Sequence, residues 1–348
     1  MRFFAQNAIR LMNWKKLIDL LHGNHVYIQT HDYPDPDAVA SAFGLHHFLK
    51  HFGIESTLCY VGDAERASVN TAIQEFHIDF VNFSKEAVMA EDTLIVLLDG
   101  QKWNANMTDL PGDEVACIDH HPVFKKIAYT YSDIRLVGAC SSIIADYFFT
   151  SDVPMSTDVA TMLLFGLHID TFYMTRGVSD LDLDVFPKLY RLADQRRLER
   201  VESRSLEFTD LQAFGAAINN IRIFGRAGFA RIPFACPDAL IAQVADFILS
   251  LAEVDIAIIH SRRSNGLKFS VRSVENDIHS GYMLSSVMPP YGSGGGHASM
   301  AGGFVPLEAI EKSGMGEETF AHFLDERFLQ YIQSHHKNVP SDTTQRKS

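Results

Sequence analysis

Apolar residues recur at helical spacing at Trp14, Leu17, Ile18 and Leu21, and Gly23 stands where a helix C-cap belongs, so an amphipathic helix is expected first. The rhythm then changes to short, continuous apolar runs. "HVYIQT" (25–30), "TLIVLLD" (93–99) and "EVACID" (114–119) have the length of buried strands, and the last two end in aspartate. Between the first two, "AVASAFGLHHFLKHFG" (38–53) returns to a helical pattern that stops at Gly53. Strand and helix patterns alternate from about residue 25 to residue 195, which predicts an α/β domain: a doubly wound parallel sheet with helices on both faces. In such sheets ligands bind beyond the carboxyl ends of the strands.

The pattern shifts after that. "LADQRRLERVESRSLEF" (192–208) is charged and helical in composition, as a rigid connector would be. Leu240, Ile241, Val244, Phe247, Ile248 and Leu251 then mark another helix. "DIAIIH" (255–260) and "LKFSVRS" (267–273) flank "SRRSNG", where Asn265-Gly266 signals a hairpin. The expected layout is a catalytic domain over 1–195, a helical connector over 196–215, a smaller α+β domain over 216–335 with a cleft between the two, and a disordered polar tail over 336–348.

Composition narrows the function. With 348 residues, 47% hydrophobic and 21% charged, the chain is an ordinary globular protein with room for more than one core. Its net charge of −13 excludes a broad basic surface for long duplex nucleic acid. An anionic substrate therefore needs local cations, from metal ions or a few placed Arg and Lys. Cys59, Cys117, Cys140 and Cys236 are far apart and form no CxxC pair, which suits a reducing compartment. No signal-peptide core or transmembrane run is apparent, so a cytoplasmic, membrane-free protein is expected.

Four stretches offer Asp or His at strand ends or helix edges: "THDYPDPDAVASA" (30–42), "LLDGQ" (97–101), "IDHHPV" (118–123) and "GLHIDTF" (166–172). Together they supply His31, Asp35, Asp37, Asp99, His120 and Asp170. Each has an ordinary reading when taken alone: Asp37 as a helix N-cap, Asp99 as a turn residue, His120 as a core histidine. In order and together, they form a carboxylate and imidazole set suited to Mn²⁺ and larger than one ion needs. Two ions about 3.5–4 Å apart can clamp a phosphoryl group and activate water, which points to phosphoryl hydrolysis.

Asp119, His120 and His121 spell the triplet of the DHH phosphoesterases, and "GSGGGHASMAGG" (292–303) resembles the glycine-rich GGGH signature of their associated C-terminal domain. The chain most resembles the nanoRNases and 3′-phosphoadenosine 5′-phosphate phosphatases. The resemblance implies that His31, Asp35 and Asp99 hold one Mn²⁺ while Asp37, a bridging Asp99, His120 and Asp170 hold the other, with Mg²⁺ or Co²⁺ as substitutes. It makes Asp99, His120 and His121 catalytic, with His121 facing the substrate phosphate and Asp119 orienting the imidazoles. It also assigns Arg272, Ser273, Gly294, Gly295, Gly296 and His297 to substrate binding, the glycines by letting backbone N–H groups approach an anion. Arg262 and Arg263 read as surface charges, and Trp103 with the aromatics of "DYF" (146–148) and "TFYM" (171–174) mostly as core, base stacking being the alternative. Gly100 departs from the threonine of many relatives.

The expected function is thus attack by a metal-bridging hydroxide on a phosphoester of a short single-stranded oligonucleotide or nucleotide. This is exonuclease or oligoribonuclease chemistry, in a possible homodimer. The rivals are an inorganic pyrophosphatase or exopolyphosphatase on the same catalytic half, and a non-catalytic nucleotide sensor.

Overall fold

The computed structural model describes residues 14–62, 64, 67–84, 89–104, 106–123, 125–204 and 206–335, so the tail expected to be disordered lies outside the described residues. The chain divides into two compact units, Met1–Leu206 and Glu207–Ser348.

In the first unit, helix α1 is described over 14–21. A parallel sheet follows, with strands β1 (Val26–Thr30), β2 (Ser56–Tyr60), β3 (Phe80–Asn82), β4 (Leu94–Leu98), β5 (Asp113–Asp119) and β6 (Tyr131–Ile134). Their order is β3-β2-β1-β4-β5-β6, and every pairing is parallel. The order reverses between β1 and β4, so a crevice opens there at the strands' carboxyl ends. Helices α2 (Pro36–His51), α3 (Ala67–Glu75), α4 (Cys140–Ser151), α5 (Thr157–Asp170), α6 (Asp180–Leu192) and α7 (Gln195–Ser203) share one large core with alternate strand residues such as Val26, Ile28, Val96 and Ile118. The intervening residues Cys59, Ile95, Leu97 and Cys117 face a smaller core closed by Met89, Met107 and Leu110. The helices' apolar faces therefore gather in one layer. The charged segment read as a connector is α7, which buries Leu198 and Val201 in that core and ties Arg197 to Glu75 at 3.0 Å.

The second unit has a mixed sheet ordered β11-β12-β10-β9-β8-β7, made of β7 (Arg222–Phe224), β8 (Ala227–Ile232), β9 (Ile256–Arg263), β10 (Gly266–Ser273), β11 (Ser293–Gly296) and β12 (Met300–Pro306). Helices α8 (Leu211–Asn220) and α9 (Asp238–Leu249) join the core on one face. Helices α10 (Ser280–Val287), α11 (Leu307–Lys312) and α12 (Glu317–His335) join the core on the other. The expected hairpin is present, with Arg263 paired to Gly266 and the two-residue loop formed by Ser264 and Asn265. Among the described residues no helix is long and apolar enough to cross a membrane.

Candidate metal centre

Sheet register sets the site. Thr30 pairs with Leu98 and Leu98 with Ile118, so His31, Asp99 and Asp119 leave three adjacent strands side by side at the point where strand order reverses. Asp99 has φ 57°, a left-handed conformation that aspartate tolerates better than most residues, and its carboxylate is buried. Gly100 follows, and a Cβ there would lie 2.5 Å from the Met107 methyl, so Met107 fills the space a larger residue would take.

The remaining donors come from helix ends. Asp35, not Asp37, caps α2, accepting from the amides of Asp37 at 3.0 Å and Ala38 at 3.1 Å. Asp37 lies within the first turn and instead caps α4 from a distance, accepting from Cys140 N at 2.6 Å, Ser141 N at 3.0 Å and the Ser141 hydroxyl. This corrects the N-cap reading of Asp37: α4 has no side-chain cap of its own and borrows one across the fold. Asp170 ends α5, where the helix dipole already places partial negative charge. A carboxylate there calls for a cation.

The imidazoles are oriented so that Nε2 points inward. His31 Nδ1 meets the Asp32 carbonyl at 2.8 Å, leaving Nε2 3.7 Å from Asp99 and 3.9 Å from Asp35. His120 Nδ1 meets the Val137 carbonyl at 3.1 Å, leaving Nε2 3.3 Å from Asp99 and 3.4 Å from Asp170. A carbonyl accepts only from a protonated Nδ1, so each neutral ring turns the Nε2 lone pair toward carboxylates. Only a proton or a cation makes that arrangement attractive. Asp119 accepts from His121 Nδ1 at 2.9 Å and from the His120 amide at 2.8 Å, so it orients His121, while Val137 rather than Asp119 orients the His120 ring.

The electrostatics carry the same demand. Burial disfavours charge on His31, yet Asp35 and Asp99 raise its pKa to about 10. Burial likewise opposes a charged His120, and Asp99, Asp170 and Asp37 overcome it, raising its pKa well above the usual value. Burial and Asp99 push Asp37 up to about 7. Asp170 also rises well above the carboxylate range, through burial and the nearby Asp35 and Asp37. For Asp119 burial pulls upward, but hydrogen bonding to His121 prevails and holds it below its ordinary value. The donors gather in three groups, each with ligand atoms within 4.8 Å of one another: His31, Asp35 and Asp99; Asp99, His120 and His121; and Asp37, His120 and Asp170. Among the described residues Asp99 Oδ1 and His120 Nε2 are buried without a hydrogen-bond partner, as atoms reserved for a metal would be. The donor set fits divalent ions.

Of the residues expected to bind substrate, Arg272, Gly296 and His297 line one cavity of about 290 Å³ in the second unit, together with Lys268, Ser270 and Asp238. Arg272 is anchored there by Asp246 Oδ1 at 3.1 Å. Ser273, Gly294 and Gly295 are not among the lining residues. Ser273 is buried and accepts from the Glu275 amide. The glycine run is not an open loop: residues 293–296 form strand β11, with Gly294 paired to Gly303 and Gly295 to Gly302. Arg262 and Arg263 are tied to Glu317 and Asp238.

Pattern reading missed several supports. Gln101 is buried and donates to Asp119 Oδ2 at 2.6 Å and to the His121 carbonyl at 3.2 Å, fixing the triplet from the loop that follows β4. Nothing in its sequence neighbourhood marks that role. The aromatic assignments also need correction. Tyr147 and Phe148 are core, but Trp103 is 58% exposed, and Phe172 and Tyr173 are each 49% exposed.

The sequence matches the DHH family, N-terminal domain, over residues 25–167 and the DHHA1 domain over residues 228–321. It is 26% identical over 306 residues to an uncharacterized protein of Methanocaldococcus jannaschii, an alignment covering 86% of this chain and 61% of that protein. A probable manganese-dependent inorganic pyrophosphatase of Streptococcus thermophilus is 23% identical over 272 residues, covering 73% of this chain and 83% of that one. Among solved structures, an exopolyphosphatase-related protein from Bacteroides fragilis has the same fold, with a TM-score of 0.73 and 16% identity over 94% of this chain and 97% of that chain. The chain thus carries a DHH family N-terminal domain, in which the donors cluster, followed by a DHHA1 domain.

Proposed function

We propose that the protein hydrolyses phosphoester bonds of short oligonucleotides or phosphorylated nucleotides with two Mn²⁺ ions, for which Mg²⁺ or Co²⁺ can substitute. The observation that carries this reading is the pair of buried atoms Asp99 Oδ1 and His120 Nε2, 3.3 Å apart and without a hydrogen-bond partner among the described residues, amid carboxylates and imidazoles that repel unless a cation joins them. His31, Asp35 and Asp99 would hold one ion, and Asp37, Asp99, His120 and Asp170 the other. Bound there, the ions supply positive charge to the reacting phosphoryl group and favour deprotonation of an attacking water.

The chain's own groups do the rest. His121, fixed by Asp119 and Gln101, presents its ring to a phosphoryl oxygen. Arg272, held by Asp246, and Lys268 and His297 in the same cavity offer donors to a substrate phosphate. A net charge of −13 suits short substrates, because the cationic charge is confined to these places. The complete donor set speaks against a non-catalytic sensor. A second reading, hydrolysis of pyrophosphate or polyphosphate, is favoured by the similarity to the probable manganese-dependent inorganic pyrophosphatase of Streptococcus thermophilus.

The test is a hydrolysis panel on chelated protein with Mn²⁺ restored, comparing dinucleotides, longer oligomers, 3′-phosphoadenosine 5′-phosphate and pyrophosphate. Turnover of a short nucleotide substrate that returns with Mn²⁺ is expected. Turnover of pyrophosphate alone would establish the second reading, and activity undiminished by chelation would remove the metal from the scheme.

A further inference from the structure

Directly after Asp170 the backbone does something costly. Phe172, Tyr173 and Met174 have φ of 47°, 55° and 62°, three consecutive non-glycine residues in the left-handed region. L-residues enter that region singly, at roughly 1–2 kcal/mol each, and glycine is the usual occupant. The turn is nevertheless firmly built: the amides of Phe172 and Tyr173 donate to the carbonyls of Ile169 at 3.2 Å and His168 at 2.6 Å, and the Met174 amide donates to the Thr171 hydroxyl at 3.1 Å. Its effect is to hold two aromatic rings half in solvent, with centroids 6.3 Å apart. The Arg176 guanidinium lies 5.2 Å from the Phe172 ring, and the Tyr173 ring rests 5.2 Å from that of His168.

The same pairing of strain and exposure recurs between two other candidate ligands. Tyr33, midway between His31 and Asp35, has φ 56° and is 55% exposed. Its amide donates to the Val61 carbonyl at 3.0 Å, and its ring lies flush on Gly62, where a Cβ would stand 2.8 Å from Tyr33 Cε1. Folding gains nothing from left-handed backbone that leaves a large apolar ring in water. Tyr33 and Phe172 each stand two residues from a donor of the metal cluster, within about 7.6 Å between α-carbons.

We propose that Phe172 and Tyr173 on this left-handed turn, with Tyr33, form a stacking platform for the nucleobase of the substrate, beside the centre that holds its phosphate. This rests on the phosphoester reading above and deepens it: the platform selects nucleotides over base-free phosphates, since pyrophosphate has no ring to stack.

The experiment measures equilibrium binding of adenosine 5′-phosphate and of ribose 5-phosphate to the full-length protein with Mn²⁺ present, alongside hydrolysis of a dinucleotide and its abasic counterpart. Phe172→Asn keeps a residue that tolerates the left-handed conformation and removes the ring, and Phe172→Trp keeps a ring. Stacking on one aromatic residue is worth a factor of roughly five to a hundred. The preference for adenosine 5′-phosphate over ribose 5-phosphate should fall by that factor in Phe172→Asn and Tyr33→Leu and persist in Phe172→Trp. If Phe172→Asn does not fold, Phe172→Leu decides by the same ratio. A preference unchanged by loss of the ring, or both ligands weakened equally, overturns the platform. Failure of the wild type to hydrolyse any nucleotide phosphoester overturns the phosphoester reading instead.

Discussion

Asp99 is the residue on which the candidate centre converges. It stands in two of the three donor groups, faces His31 on one side and His120 on the other, and holds one oxygen without a hydrogen bond. Asp99→Asn keeps the shape and removes the charge that both ions would share. Hydrolysis should be lost with the fold retained, as read by circular dichroism and steady-state turnover. A variant keeping more than about a tenth of the wild-type rate, a barrier change under roughly 1.4 kcal/mol, would show that Asp99 does not bridge. The residue types here were legible in the sequence, because carboxylates and imidazoles in order after strand-like runs have few other uses. Their supports were not. Gln101 and the Val137 carbonyl act through atoms placed by the loop after β4 and the loop before α4, and no local pattern encodes them.

At the scale of elements, the glycine signature changes meaning. It was legible as a run that lets backbone come close, but what approaches it is a helix. A Cβ on Gly281, in the first turn of α10, would collide with the Gly296 carbonyl oxygen, while a Cβ on Gly295 meets nothing within 4 Å. Gly281→Ala should therefore destabilise the protein by about 1–3 kcal/mol, the usual cost of overpacking, and lower its unfolding midpoint. Gly295→Ala should leave that midpoint within a degree or two of wild type. Equal effects on thermal unfolding would mean that α10 does not rest on β11 as described. Periodicity could not foresee this strand, since four residues of Ser and Gly have no apolar alternation to read, and pairing with β12 forms it.

For the whole molecule, the two units should answer to different chemical variables. A cation held by the proposed centre would bind only the folded cluster, so Mn²⁺ at a hundred times its Kd should stabilise the first unit by about 2.7 kcal/mol. In the second unit, burial first, and then Arg231 and Arg222, lower the pKa of His260 to about 3, and its ring packs 5.2 Å from that of Phe269. The unfolded chain binds a proton there below about pH 6.5, while the folded chain resists until about 3. Stability must fall as pH drops through that window, by at most about 1.4 kcal/mol per pH unit from this group. Amide exchange should show Mn²⁺ protecting β1 and β4, and acid exposing β9 and β10, with His260→Phe flattening the acid response. Protection of β9 by Mn²⁺ equal to that of β1, or an unchanged acid slope in His260→Phe, would refute this division.

What the sequence determined by itself was local or additive: an alternating strand and helix order, the chemical identity of the donors, the hairpin at Asn265-Gly266, and a net charge that confines cationic sites to small places. Each follows from the period of burial along a few residues or from composition. What only the tertiary structure decided was which surface each side chain meets. Asp37 caps a helix more than a hundred residues later, Arg272 is anchored by α9, and the aromatics after Asp170 turn outward on a left-handed backbone. Aromatic character predicts a core position until packing leaves no room. Whether room exists is set by strands and helices far apart in the chain, which a local pattern cannot register.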